Sequence, residues 1–263
     1  MADSCFQTDS VESEQKLSLK SLYVLIIATA VLSLCFYVPE IAAQEPRIAI
    51  DIGHCAKKAG ATSARGIPEY DFNLKMAEAL HKELMGVNAF SSVLSKGADC
   101  LSLAERSATV NKQKADVFVS IHHNSILLKY MSKWTFKGRK RLYCDKFPGY
   151  SVYFSSLNRR PDESRLLAEA VSAALNKAGF SPHNHPLDEQ EKKRITLIDA
   201  KTGLYKFDSL AVLRGAEMPS ILIECGMIVD RNEELELAKP ERMQKMAEAV
   251  RRGIGYYWAK RGK

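Results

Sequence analysis

Three short β-branched runs in this chain each lead into a side chain that can bind a metal or carry a proton. They are IAIDIGH (48–54), DVFVSIHHNS (116–125) and PSILIECGM (219–227). Apolar runs of this length, bounded by Gly, Pro or polar residues, read as buried strands. Strands are expected near 47–52, 90–95, 116–122, 151–156, 209–213 and 220–225, and helices near 69–85, 101–114, 162–179 and 240–259. This alternation predicts an α/β fold: a single three-layer domain with a mostly parallel central sheet and helices on both faces. Sites in such sheets open beyond the carboxyl ends of the strands. His54, His122 and Glu224 all fall at such ends.

The residue types suit hydrolytic chemistry. His54, His122 and Glu69, which opens the first helix, form the two-imidazole, one-carboxylate ligand set of a catalytic zinc. Glu224 is the candidate proton carrier for a zinc-activated water. Each has a plainer alternative. Either histidine could be structural, Glu69 could only complement a helix dipole, and Glu224 could be a buried ion-pair partner of Arg214. His123 alternates away from His122 and is expected at the surface. His81 is expected on the solvent side of its helix. His183 and His185 are weaker candidates for an extra metal contact. Asp51 is expected either to orient His54 or to cap a strand end, and Arg106 and Asn111 to pin a helix to the sheet.

The formal net charge is +7, and the first 43 residues hold five acids against Lys16 and Lys20, so the remainder carries +10. That excess favours an anionic polymer or surface as partner, and no nucleic-acid motif accompanies it. Residues 1–43 read as a signal peptide or signal anchor: Lys16 and Lys20 precede the apolar run Leu22–Val38, and Ile41-Ala42-Ala43 supplies a cleavage site. The domain at 44–263 is therefore expected to be exported to the periplasm or cell envelope, touching a membrane only through that segment. Its cysteines, Cys55, Cys100, Cys144 and Cys225, include no CxxC pair. They read as small buried hydrophobes in preference to a disulfide.

Two stretches look inserted. Residues 126–150 are rich in Lys, Arg and aromatics and read as a solvated loop or a substrate-contact loop. Residues 181–206 are polar, with two prolines, and read as a long surface excursion that gates the site, docks a partner or lies idle.

Taken together, the segments resemble the zinc-dependent N-acetylmuramoyl-L-alanine amidases of the bacterial cell wall, with a catalytic domain of the cell-division amidase type. The resemblance spans about Arg47 to Tyr257. It rests on Asp51-Ile-Gly-His54, Gly66-Ile-Pro-Glu69 with Asn73-Leu74, Arg106…Asn111…Ala115-Asp116, Ser120-Ile-His-His-Asn124 and Ile223-Glu224-Cys-Gly226. The chain departs from the family where Cys55-Ala56 follow Gly-His and Met227 follows Gly226. The resemblance implies hydrolysis of the amide between N-acetylmuramic acid and L-alanine in peptidoglycan. It implies one zinc per chain on His54, Glu69 and His122, Glu224 as general base and acid, and an activator protein of the envelope as a second partner. A zinc carboxypeptidase would be expected to carry a His-x-x-Glu pair, which does not occur among these ligands. An inactive wall-binding regulator would not need all four site residues.

Overall fold

In the computed structural model, the β-branched runs pair into one seven-stranded sheet. The structure describes residues 46–86, 91–94, 100–183 and 187–261. The expected signal segment and His185 lie outside them. The chain divides into two units, Met1–Gln44 and Glu45–Lys263, and every described residue belongs to the second. No helix among the described residues is long and apolar enough to cross a membrane.

The elements of the first half are β1 (Ile48–Ile52), α1 (Glu69–Met85), β2 (Ser91–Leu94), α2 (Leu103–Lys112), β3 (Val117–Asn124), β4 (Ser132–Phe136) and β5 (Arg139–Tyr143). Then come β6 (Ser151–Phe154), α3 (Pro161–Lys177), α4 (Glu189–Lys192), β7 (Ile195–Asp199), β8 (Leu204–Phe207), α5 (Ala211–Arg214), β9 (Ser220–Met227), α6 (Glu233–Leu237) and α7 (Pro240–Lys260). The strand order is β2-β1-β3-β9-β6-β8-β7. Pairing is parallel except where β6 meets β9 and β7 meets β8. The sheet is thus mixed but mostly parallel, as expected.

Alternation along the strands sends two sets of side chains to two faces. Ile48, Ile50, Ile52, Val119, Ile121 and Ile223 pack on one face against α1, α3 and α7. Ala49, Phe118 and Leu222 pack on the other, with Val212 and Leu213 of α5 and Val110 of α2. Each fully buried Ile contributes about 1.5–3 kcal/mol of hydrophobic stabilisation. Helix α1 follows extended Pro68, which halts helix propagation backward, and has Glu69 and Asp71 in its first turn and Lys82 in its last. Its buried stripe, Phe72, Asn73, Met76, Ala77, Leu80 and Leu84, follows the 3.6-residue period.

Three expectations need correction. The strand expected at 209–213 is instead a helical turn, α5; Val212 and Leu213 are buried by a turn lying on the sheet, where an apolar pair reads the same in either geometry. The stretch 181–206 is not merely a surface excursion, because it supplies β7 and most of β8, the outer edge of the sheet. Edge strand β7 tolerates polar residues and β8 is only four residues long, and this hid them. Residues 126–150 contain the separate β4–β5 hairpin, joined by Lys137 and Gly138 with φ of 47° and 73°. Paired positive φ values are those of a type I′ turn.

Candidate metal centre

Strand β1 ends at Ile52, and the chain turns sharply so that His54 adopts φ 68°. This left-handed conformation is unfavourable for a side chain with a Cβ and needs support from its surroundings. Arg106 of α2 supplies it. Its guanidinium donates to Asp51 Oδ1 and to the Ile52 carbonyl, each at 2.6 Å, and also to the His54 carbonyl. Asp51 in turn accepts from Ser120 Oγ of β3 at 2.8 Å. Asp51 therefore supports His54 by way of Arg106. Asn111 does pin α2 to the opposite loop: it donates to Gly215 O and accepts from Glu217 N.

A covalent tie lies beside this turn. Cys55 and Cys100 form a disulfide with Cα atoms 5.3 Å apart. The reading of all four cysteines as buried hydrophobes is corrected for this pair, whose closeness depends on where α2 docks. Cys144 and Cys225 are free and buried.

The Glu69 carboxylate sits between the two imidazoles. Its Oε2 is 3.0 Å from His54 Nε2, and its Oε1 is 3.1 Å from His122 Nδ1. One candidate ligand atom from each of the three residues lies within 4.8 Å of the others. Asn73, one helical turn beyond Glu69, donates to Glu69 Oε1 at 3.2 Å and to the Gly53 carbonyl at 3.0 Å. The Ala61 amide donates to Oε2. Burial alone would raise the Glu69 carboxyl, but hydrogen bonds and charge from His122 and His54 override it and hold the group well below the usual carboxylate range. Glycines make room for the rings. A Cβ on Gly53 would meet the His122 ring at 2.5 Å, and one on Gly60 would strike Glu69 and His54. Such a donor set, anionic and open on one side, fits a divalent zinc.

Glu224 is the register partner of His122 across β3 and β9. Its Oε2 is sealed from solvent and has no hydrogen-bond partner. Burial, followed by the nearby Glu69 charge, pushes its carboxyl well above the ordinary value. Arg214 is exposed, and no ion pair joins it to Glu224 among the described residues.

The remaining histidines differ from expectation. His123 is buried, packed against Phe72, with Nδ1 2.8 Å from Asn73 Oδ1. Alternation along β3 puts it on the face of Val119 and Ile121, which α1 covers. His81 is half-buried, with Nδ1 2.6 Å from Ser91 Oγ. His183 is buried and 2.8 Å from the Phe147 carbonyl, outside the three-residue cluster. Beyond the end of β3, Asn124, Tyr153, His183, Glu191, Ile195 and Tyr205 line a cavity of about 330 Å³. Sequence reasoning gave no role to three contributors. Asn73 stands in the segment that carries the resemblance, at i+4 from Glu69, without a contact being assigned to it. Tyr153 and Tyr205, stacked at 5.2 Å, carried no local signal.

Comparison with known proteins supplies the lineage. The profile of the N-acetylmuramoyl-L-alanine amidase family matches residues 48–256. YqiI of Bacillus subtilis is 28% identical over 210 residues, covering 80% of this chain and 83% of YqiI. The N-acetylmuramoyl-L-alanine amidase AmiC of Escherichia coli is 25% identical, covering 81% of this chain and 52% of AmiC, so the chain spans about half of that relative. The solved amidase Ami1 of Mycobacterium smegmatis superposes with a TM-score of 0.66 at 20% identity over 83% of this chain and 99% of that one, a likeness of fold. On the match that covers the whole sheet and all of its helices but the last turn of α7, this chain belongs to the N-acetylmuramoyl-L-alanine amidase family.

Proposed function

We propose that the domain acts through a zinc ion held by His54, Glu69 and His122, with Glu224 as the group that moves the proton. The family supplies the reaction: hydrolysis of the amide joining N-acetylmuramic acid to L-alanine in peptidoglycan. That substrate lies outside the cytoplasm, in keeping with export of the domain. The observation that carries the mechanism is the convergence of the His–Glu–His cluster with a carboxyl whose Oε2 has no partner, on adjacent strands.

An amide resists neutral water. A bound zinc would polarise the scissile carbonyl and make the attacking water more acidic. The protein's own groups do the rest. Glu224 takes the proton of the attacking water and passes it to the departing alanine nitrogen, which would otherwise leave as an amide anion. Its carboxyl, shifted upward by burial and by the Glu69 charge, favours holding the proton until the alanine nitrogen takes it. Asn73 fixes the Glu69 carboxylate, and Arg106 holds the backbone on either side of His54. The cavity lined by Tyr153, Ile195 and Tyr205 lies at the carboxyl end of β3, where a stem peptide can be seated. On this reading the 181–206 stretch, which carries His183, Glu191, Ile195 and Tyr205, contributes to substrate binding.

The test is mass analysis of fragments released from purified peptidoglycan by the full chain, with and without chelator. Free stem peptides beginning with L-alanine, lost on chelation, are the expected products. Release of terminal D-alanine alone would instead indicate a carboxypeptidase, and no release in either condition a wall-binding regulator.

A further inference from the structure

The β4–β5 hairpin lies outside the catalytic cluster, and the mechanism makes no use of it. Between Leu127 and Cys144 the chain carries six cations, Lys129, Lys133, Lys137, Arg139, Lys140 and Arg141, and no acid. Lys129 is paired with Asp188. None of the other five takes part in an ion pair among the described residues. A two-residue turn and five paired positions make the hairpin a defined ribbon with fixed faces.

One face anchors it. Trp134 Nε1 donates to the Ala64 carbonyl at 3.0 Å, and the Arg65 and Arg231 guanidinium groups lie over the Trp134 ring at 5.6 and 5.2 Å. The Arg141 guanidinium packs so close to Gly66 that a Cβ there would meet it at 2.5 Å. Residues 64–66 belong to the loop that joins His54 to Glu69. The ribbon is therefore clamped to the segment that carries two of the candidate ligands. The opposite face, Lys133, Thr135, Lys140 and Leu142, is exposed. Thr135 pairs with Lys140 and Lys133 with Leu142, so the two ammonium groups sit on diagonal positions of the same face.

We propose that this face binds the free carboxylates of peptidoglycan stem peptides and holds the polymer beside the metal centre. The proposal rests on the reading of peptidoglycan as the substrate. Its warrant is complementarity: a rigid cationic face without intramolecular acids, next to the site of a substrate whose peptides end in carboxylates. Such contacts act mainly on capture and are weakened by salt. The competing explanation is that the lysines only protect two open strand edges from pairing with other chains.

The experiment compares the full chain with the double variant Lys133→Glu/Lys140→Glu. Both side chains point outward, so the anchor of Trp134 and Arg141 is left intact, and an unchanged Tm confirms folding. Retention on insoluble purified peptidoglycan is measured across a salt series, with retention on vesicles of anionic phospholipid measured in parallel. Cleavage of a soluble muramyl peptide is measured separately. The expected result is an affinity for the wall about ten-fold lower in the variant at low salt, with the difference vanishing at high salt. Unchanged wall affinity, or a loss confined to the vesicles, would overturn the proposal. Failure of both proteins to cleave the muramyl peptide would count against the amidase reading alone, because wall retention reads the hairpin independently.

Discussion

His122 and Glu224 are register partners on the adjacent parallel strands β3 and β9, so their side chains leave the sheet on the same face. This single relationship places an imidazole of the candidate metal cluster beside a carboxyl with an unpartnered, buried oxygen. The division of labour between the two residues is accessible to mutation.

Replacing either histidine tests the ligand set. His54→Ala and His122→Ala are each expected to lose stoichiometric zinc and activity while keeping the circular dichroism of the folded sheet. Both residues lie at the sheet's carboxyl edge, outside its apolar core. Full zinc occupancy in both variants, measured by elemental analysis, would remove them from the assignment.

Glu224→Gln keeps the shape of the side chain but cannot accept a proton. Turnover is expected to fall by about 100-fold or more at full zinc occupancy, the usual scale for a positioned acid–base group. Near-normal turnover in a zinc-loaded preparation would assign the proton transfer elsewhere.

The Cys55–Cys100 bridge spans 45 residues and lies next to His54. A loop of that size is expected to contribute about 4 kcal/mol through the unfolded chain. Reduction by a dithiol, or the pair Cys55→Ser/Cys100→Ser, is therefore expected to lower Tm and to reduce zinc affinity as the His54 turn loosens. A reduced protein with parental Tm and zinc affinity would show the bridge to be dispensable.

The cavity at the end of β3 gives a test of the 181–206 stretch. Ile195→Trp is expected to fill part of its 330 Å³ and raise KM several-fold with kcat largely retained, the pattern of lost substrate binding. Unchanged steady-state kinetics with a folded variant would return the stretch to a purely structural role.

Asp145 offers a pH test. Burial would raise its carboxyl, but hydrogen bonds from Arg231, at 2.9 Å from Nε and again from the backbone amide, hold it below the ordinary range. A depressed folded value means that the stabilisation is present above the unfolded carboxylate pKa near 4. It is lost as pH falls through the lower folded value. Asp145→Asn is thus expected to be less stable than the parent at neutral pH, with the two denaturation curves converging in strong acid. A difference that persists unchanged at low pH would show that the charge is not what matters.

Much of the architecture is written in local periodicity. The alternation in 48–52, 117–121 and 220–223 marks buried strands because a strand exposes its two faces every second residue, and Pro68 with Glu69 and Asp71 marks the start of α1. The same local logic puts His54, Glu69, His122 and Glu224 at element ends. It cannot say which ends meet. Only the strand order brings β9 beside β3, and only the docking of α2 brings Cys100 to Cys55 and Arg106 to the carbonyls of Ile52 and His54. Edge strand β7 was obscured because one flank of an edge is solvated and keeps polar residues, β8 because it is only four residues long, and α5 because two apolar residues in a row fit a turn or a strand alike. His123 is buried because it shares the face of Val119 and Ile121, and only the docking of α1 decides that this face is covered at the end of β3. The sequence alone determined which residues each element offers. The tertiary structure decided which of them face one another, because register, helix docking and cross-linking depend on contacts between distant segments that no local pattern encodes.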